Sequence, residues 1–531
     1  MPGPGCARHA GRVVTAEPRS PVEELLLRGD RLPDAARHGA DTYFSDHRAQ
    51  RGDRHVRLCT GTGCFAATQG QQVAAVEGAL GVPLGHRDDD GSVSLQAAHC
   101  LGYCYAGPAA LDDDEPRVGA TLVDQLAGRA EPVDPDFPVS AVSAPVVLRG
   151  IVGDEAPWQV WPALLSWPGG GERVRREVGL AGLRGRGGAG FPAAAKWAAV
   201  RSADGPGPSY VVANGDEGDP GSFADRLLME RDPDRVLEGL ALAGLACGAT
   251  AGFVYVRSEY PRARATLTRA VEAARTAGHL GTDIHGSGVD FDVTVVSGHG
   301  SYVAGEETSL LRSMAGLRGT VRVRPPYPTQ RGFLGRPTAV NNVETLAAVP
   351  AILADGGASY ARLGRGTETG TLLVCLTERF ARPGAYEVEL GTPLRFIMEE
   401  LGGGLTDGTE LRAVQVGGPL GGFLAPSQLD LPLLEAALAG AGVSLGHGSL
   451  VAIDSSTSHE DLLAHLWRFG ADESCGACTP CREGTRRGAA DPGASSRDPA
   501  LLDLMSQASL CAFGRRLPAA VRSLMEIAPW S

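Results

Sequence analysis

A chain of 531 residues exceeds the usual size of one domain and predicts three or four, each long enough to bury a core. With 43% hydrophobic and 21% charged residues it reads as an ordinary globular protein, and a formal net charge of -13 excludes a nucleic-acid or anionic-membrane face, which would need concentrated basic residues. No apolar run at the start is long enough for a secretory signal, so the chain is expected in the cytoplasm, where 11 cysteines point to metal or redox use rather than disulfides.

Residues 1–54 form an extension broken by Gly and Pro, partly disordered at its end, with one short helix expected at VEELLL. From His55 the chain tightens into a small module, 55–130: a strand in HVRLCTGTGC, a helix through QQVAAVEGALG, and a second strand, SVSLQAAHC, leading to CLGYCYAGPAALDD. Cys59, Cys64, Cys100 and Cys104 stand at C-x4-C-x35-C-x3-C, each pair where a strand enters a loop. Two such loops can bring four thiolates around a 2Fe-2S rhomb, with zinc as the alternative. A Pro-rich segment, 131–145, reads as a linker.

Residues 146–369 alternate helical and strand-like segments, as an α/β domain does. The stretch 236–256, VLEGLALAGLACGATAGFVYV, is broken by CGATAG into a helix, a turn and a buried strand, each too short to span a bilayer. In GLRGRGGAGFPAAAKW, Gly185, Gly187 and Gly190 satisfy G-x-G-x-x-G, but the preceding GERVRREVGLAG is charged and helix-like, so the dinucleotide fingerprint fails for want of a leading strand. What remains is a glycine loop bracketed by Arg184, Arg186 and Lys196, whose bare N–H groups can approach a phosphate or a flat ring; a flexible surface loop is the bland alternative.

The strand YVVANG ends in a turn carrying Asn214, Asp216, Glu217 and Asp219, at the end of a strand where α/β folds put ligands. A calcium loop is ruled out, because the twelfth position from Asp216 is Leu227; a solvated acidic turn remains the competing reading. DVTVVSGHGSYVAGEETSLL gives a further strand, a glycine turn and a helix carrying Glu306 and Glu307, and Arg324 and Tyr327 follow on a proline-stiffened segment. Asn341, three residues before Glu344, loosely suggests a capping box, hence a helix N-terminus that attracts phosphate.

Residues 370–455 read as a small β-grasp-like domain of short strands (TLLVCLT, AYEVEL, LRAVQVGG, SLVAID) with a helix at PLRFIMEELGG. GVSLG within it passes into a strand rather than a helix, so Ser444 is a turn residue and no nucleophile. Residues 456–531 are mostly helical and carry Cys475, Cys478 and Cys481 at C-x2-C-x2-C, with Cys511 downstream and Pro480 stiffening the loop. Three thiolates on one short loop and a fourth from a distant one suit the corners of a cubane; zinc, which usually takes two separated pairs, is the alternative. Cys6, Cys247 and Cys375 are left over.

GRGGAGFP with Lys196, DEGDPG, SYVAGEET, PTAVNNVET and ESCGACTPCREG occur here in one order. In this the chain resembles, over 146–531, the NADH-oxidising flavoprotein subunit of complex I and its soluble relatives. The GTGC and GYCYAGPA contexts resemble the fused thioredoxin-like 2Fe-2S ferredoxin module. The resemblance implies a multidomain α/β protein whose β-grasp domain is SLBB-like, with FMN, NAD(H), one 4Fe-4S and one 2Fe-2S cluster. By motif position it implies that Gly185, Arg186, Gly187, Lys196, Asn214, Asp216, Tyr302, Gly305, Glu306, Asn341, Asn342 and Thr345 contact the flavin. The nicotinamide nucleotide is expected near Phe191, Asp219, Glu307, Arg324 and Tyr327, with the aromatic rings sandwiching adenine. No protein acid or base is expected, since the flavin carries the hydride and Glu307 at most positions it.

Two departures stand out. Gly218 and Asp219 occupy positions of a serine and a glutamate in the respiratory subunits, and Arg324 and Tyr327 stand where many carry Lys and Phe. The first change resembles the soluble relatives, hydrogenase diaphorase subunits and molybdenum formate dehydrogenases. Bifurcating hydrogenase subunits commonly append a two-cluster ferredoxin domain, which this sequence lacks, so a formate dehydrogenase β subunit is the preferred expectation. A hydrogenase diaphorase or a complex I component comes next, and a non-catalytic metal-binding scaffold is the rival of another class. The expected partners are a molybdenum, tungsten or nickel large subunit and a small 2Fe-2S subunit, with no nucleic acid and no membrane insertion.

Overall fold

A computed structural model describes residues 31–48, 50–133, 136–203 and 207–530, apart from the side chain of residue 407. The helix expected at VEELLL and the disordered end lie outside the described residues.

The first sheet contains β1 (Arg54–Cys59), β2 (His86–Arg87), β3 (Val93–Ala98), β4 (Ala109–Asp112) and β5 (Glu115–Val118), in the order β2-β3-β1-β4-β5. β1 and β3 run parallel, with Val56 opposite Leu95 and Cys59 opposite Ala98. The two-residue strand period sorts β1: Val56 and Leu58 face one core with Val76, while Cys59 belongs to another that continues into the neighbouring domain. That second core fastens the module to the rest of the chain.

β7 (Tyr210–Gly215), β8 (Ala251–Val256), β9 (Asp292–Ser297) and β10 (Thr338–Asn342) form an all-parallel sheet in the order β10-β7-β8-β9. The apolar stretch 236–256 resolves as read, into helix Pro233–Cys247, a left-handed Gly248 (φ 71°) and β8. No helix among the described residues is long and apolar enough to cross a membrane. Helices Pro233–Cys247 and Val343–Asp355 meet so closely that a Cβ on Gly239 would lie 2.1 Å from the Leu346 carbonyl oxygen. Helix Gly170–Ala181, not a strand, leads into the glycine loop.

A short hairpin, β11 (Gly364–Arg365) and β12 (Glu368–Thr369), precedes the last sheet. That sheet holds β6 (Val139–Ala141), β13 (Thr371–Leu376), β14 (Gly384–Glu389), β15 (Leu411–Val416), β16 (Phe423–Leu424) and β17 (Leu450–Asp454), in the order β16-β15-β17-β13-β14-β6. Its edge strand β6 comes from the segment read as a linker and pairs parallel to β14, Val139 opposite Ala385. Glu387 of β14 then fixes the chain leaving β6, its carboxylate accepting from the backbone N–H groups of Val146, Val147 and Leu148 at 2.9–3.1 Å. PLRFIMEELGG is wound as a wider π-type turn over Phe396–Leu401. Helices His459–Glu473, Thr479–Ala490, Pro499–Ala508 and Ala512–Glu526 complete the chain, packed around the fully buried Trp467 and Leu517.

Candidate functional site

The C-terminal cysteines converge. Cys475, Cys478, Cys481 and Cys511 line one small cavity with Val303, Val321, Leu510 and Phe513; rather than sharing one loop, Cys475 lies in the turn after helix His459–Glu473, Cys478 is the N-cap of helix Thr479–Ala490 and Cys481 sits in that helix's first turn. Burial pushes the Cys481 thiol up to about 12 and Cys511 up to about 11, the neighbouring sulfurs adding to the shift. Four crowded sulfurs with no carboxylate or imidazole in the lining suit a cationic centre that would take them as thiolates, as an iron-sulfur cluster does.

The N-terminal four converge as well. Cys59, Cys64, Cys100 and Cys104 are each at most 2% exposed, and the Cys100 and Cys104 sulfurs lie 3.6 Å apart. Gly102 N–H donates to Cys100 Sγ and Gly221 N–H to Cys104 Sγ, both at 3.3 Å. Gly221 belongs to the α/β domain. Arg257, on the loop after β8, donates to the Cys100 carbonyl at 2.9 Å while paired with Glu259 at 2.8 Å.

The expected flavin and nucleotide residues form one cradle at the carboxyl ends of the parallel strands. In the glycine loop, Gly188 and Gly190 have φ of 81° and 60°, open to glycine without strain. A Cβ on Gly305 would sit 3.2 Å from the Asp216 carbonyl oxygen, and one on Gly187 would sit 3.1 Å from Asn342 Cβ. Asn214 Nδ2 donates to the Gly305 carbonyl at 2.9 Å, and Asn214 Oδ1 accepts from Asp216 N–H at 3.1 Å. Asp216 Oδ2 is buried without a hydrogen-bond partner, an acceptor left for a group the chain alone does not supply, and burial holds this carboxyl well above its ordinary value. The Trp197 indole N–H donates to Asn341 Oδ1 at 2.9 Å. These features fit a flat, polar-edged cofactor such as FMN.

On the outer rim, Lys196 Nζ reaches the Val340 carbonyl at 2.7 Å and Glu307 at 3.3 Å. Arg324 bridges Glu306 at 3.1 Å and Glu307 at 2.9 Å. Phe191 and Tyr327 stand 53% and 52% exposed, free to receive a ring. On the inner side, Tyr302 donates its hydroxyl to Asp219 at 2.6 Å and presents its ring to Phe469 at 5.2 Å and Phe513 at 5.7 Å, walls of the C-terminal nest. A Cβ on Gly218 would strike the Tyr302 ring at 2.7 Å, so this packing of Tyr302 requires the glycine.

Several residues sit differently from their sequence reading. Asn342, not Asn341, caps helix Val343–Asp355, its Oδ1 accepting from Thr345 N–H at 3.2 Å, because β10 runs through Asn342 and the helix starts directly after it, at Val343. Glu306 is an N-cap rather than a helical residue, its carboxylate accepting from Thr308 and Ser309 N–H. The Arg186 guanidinium turns away to Tyr360 (2.9 Å) and the Thr369 carbonyl (2.8 Å), leaving its backbone N–H on Thr345 Oγ1 at 2.8 Å. Glu217, in the turn for which a solvated surface is the competing reading, is 1% exposed and accepts from Ser222, Asp225 N–H and Arg226 N–H. Sequence reasoning missed His447 altogether: it comes from the last sheet's domain to stand 3.7 Å from Asp219. The only signal for it was a histidine between two glycines, in a stretch read as turn.

Comparison with known proteins fits this geometry. Residues 178–351 match a model described as the Nuo51 FMN-binding domain, residues 33–124 a thioredoxin-like [2Fe-2S] ferredoxin, and residues 461–527 the NADH-ubiquinone oxidoreductase-F iron-sulfur binding region. HndC, a subunit of the NADP-reducing hydrogenase of Solidesulfovibrio fructosivorans, is 41% identical over 361 residues, 66% of this chain and 73% of its own. The F subunit of NADH-quinone oxidoreductase from Escherichia coli (strain K12) is 41% identical over 313 residues, 59% of this chain and 70% of its own. A chain in the crystal structure of NAD+-reducing [NiFe]-hydrogenase in the H2-reduced state superposes with a TM-score of 0.82 at 30% identity, covering 96% of this chain and 90% of that one.

Proposed function

Since the chain belongs to the family of NADH-binding flavoprotein subunits that includes HndC and the F subunit of NADH-quinone oxidoreductase, with FMN, one 2Fe-2S and one 4Fe-4S group, we propose that the glycine cradle is where NAD(H) and flavin meet. When bound, FMN supplies two-electron chemistry toward the nicotinamide and one-electron chemistry toward the clusters. The chain's own residues hold and orient. Gly185 and Gly187 give backbone access, Asn214, Asp216, Asn341 and Asn342 supply polar edges, and Lys196 with Glu306, Glu307 and Arg324 forms a charged rim. Phe191 and Tyr327 offer exposed faces to adenine, and Asp219, anchored by Tyr302, faces the same space. The carrying observation is Tyr302, whose hydroxyl serves the cradle while its ring joins the wall of the C-terminal nest.

We further propose a cytoplasmic chain working in a soluble NAD-linked complex whose large subunit has its own metal centre. The cytoplasm suits ten described cysteines that are all free of disulfides. A formate dehydrogenase large subunit, with molybdenum or tungsten, is the first partner proposed, and the Gly218–Asp219 turn is compatible with it. The whole-length likeness to a chain of NAD+-reducing [NiFe]-hydrogenase favours a second reading, a nickel partner. A scaffold with an unused pocket is disfavoured by the glycine loop and both asparagines standing in place. Purified chain is expected to show a flavin spectrum and to reduce viologen or ferricyanide with NADH; flavin-free protein that ignores NADH after anaerobic reconstitution overturns the reading. Molybdenum, tungsten or nickel in the co-purifying large subunit decides between the partners.

A further inference from the structure

One side of the cradle is closed by a residue from another domain. His447 is the side chain of Gly446-His447-Gly448, the turn entering β17, and its flanking glycines have φ of 55° and 77°. The turn is pressed into place: a Cβ on Gly446 would lie 2.3 Å from the Gly417 carbonyl oxygen, and a Cβ on Gly188 would lie 3.5 Å from Gly446 Cα. The imidazole Nε2 is therefore held 3.6 Å from where a Gly187 Cβ would stand and 3.7 Å from Asp219 Oδ2. Ligand-type atoms of Glu217, Asp225 and His447 also lie within 4.8 Å of one another.

That trio could suggest a metal ion, but its oxygens are committed. Asp225 accepts from Asn342 Nδ2 at 2.6 Å and Glu344 N–H at 3.1 Å. Glu217 accepts from Ser222, Asp225, Arg226 and Tyr260. What the group lacks is positive charge. The acidic turn presents Asp219 and Glu217, helix Ala224–Arg231 presents Asp225, and the glycine loop presents backbone. The nearby cations are engaged elsewhere: Arg186 with Tyr360, Lys196 with Glu307, Arg226 with Tyr105 and Arg257 with Glu259. Burial alone would lower the His447 value, yet the neighbouring carboxylates, Asp219 first, outweigh it and hold the imidazole above its ordinary value; burial keeps the Asp225 carboxyl itself well above its ordinary value, so Asp219 is the main counter-charge.

We infer that His447 is a positioning residue of the flavin site, held against Asp219 and the glycine loop so that its protonated imidazole offsets the negative charge that hydride transfer delivers to the cradle. The inference rests on the reading that this cradle holds FMN. A hydride carries two electrons and one proton, so its departure leaves NAD+ and adds one negative charge to the acceptor; two single-electron transfers to the clusters then remove the electron pair, and the proton is released to solvent. A nearby cation stabilises the reduced, more negative state over the oxidised one.

The test is a redox titration of FMN in the reconstituted full-length chain, wild type against His447→Gln and His447→Lys, after FMN content has been measured. His447→Gln is expected to retain FMN but to lose about tenfold in its preference for the reduced form, a fall of about 30 mV for a two-electron couple. His447→Lys restores the potential, and the gap between wild type and His447→Gln closes at alkaline pH, where the imidazole is neutral. FMN bound with equal potentials in wild type and His447→Gln, or the same shift in both variants, overturns the role of His447 alone. Wild type that binds no FMN overturns the cradle reading and this inference with it.

Discussion

The two cysteine nests solve one problem in opposite ways. In the N-terminal nest all four sulfurs are at most 2% exposed, and part of that depth comes from across a domain boundary: Gly221 donates to Cys104, and Arg257 holds the carbonyl of Cys100. The C-terminal nest is walled by aliphatic side chains and rings, Val303, Val321, Phe513, Phe469 and Tyr302 among them, and its Cys478 is only half-buried. Its contacts to sulfur are longer, Leu510 N–H to Cys478 at 3.5 Å and the Ser474 hydroxyl with Cys481 at 3.4 Å. Spacing brings four sulfurs together in both places. Domain docking decides how deep and how well donated to they are, and exposure and hydrogen bonds to sulfur are what tune such centres.

The sharpest way to break this comparison is to remove one sulfur from each nest. Cys478→Ser is expected to lose the iron of the 4Fe-4S group, and Cys104→Ser that of the 2Fe-2S group, each sparing the other, as read by iron content and EPR of the reduced chain. Viologen reduction by NADH in Cys478→Ser should fall by more than the roughly 10–100-fold typical of losing an outer partner. A subtler cut is Gly221→Ala. Its φ of 109° disfavours a side chain, and the new Cβ would lie 2.7 Å from Val451, so the donor to Cys104 is displaced. About tenfold faster loss of 2Fe-2S iron to a chelator is expected, with the C-terminal nest unmoved; equal loss from both would dissolve the contrast.

Glu344, among the ligands of neither nest, supplies a reference for overall stability. Burial lifts its carboxyl to about 8, against a partial counter-pull from Arg186. As pH rises from the ordinary carboxylate range through about 8, the unfolded chain gives up this proton while the folded chain keeps it, so stability is lost with rising pH. Glu344→Gln removes that slope. Its melting temperature should match wild type near pH 5 and exceed it modestly near pH 9, with both clusters retained.

Much of this was legible in the sequence because it is local. The helix ahead of the glycine loop and the CGATAG break depend on neighbours a few residues away, and the structure bears them out. What was hidden depends on partners far along the chain. The Arg186 guanidinium answers to Tyr360 and Thr369, and Glu217 is buried by the helix that follows it. His447 sat in a turn whose role is set by Asp219 and Gly187, more than two hundred residues earlier. The cap falls on Asn342 rather than Asn341 because β10 runs through Asn342 straight into the helix at Val343, which a capping pattern alone cannot show. β6 is three residues long with no alternation to reveal it, and only β14 makes it a strand.

That small strand governs how the protein can be cut. The α/β domain lies, in chain order, between β6 and every other strand of the last sheet, so it is threaded as an insertion rather than strung as a bead. Anyone wishing to exchange the ferredoxin-like module for another should divide the chain before Val139; a cut at residue 145 would carry off an edge strand and leave the β14 backbone bare to the next molecule that offers one.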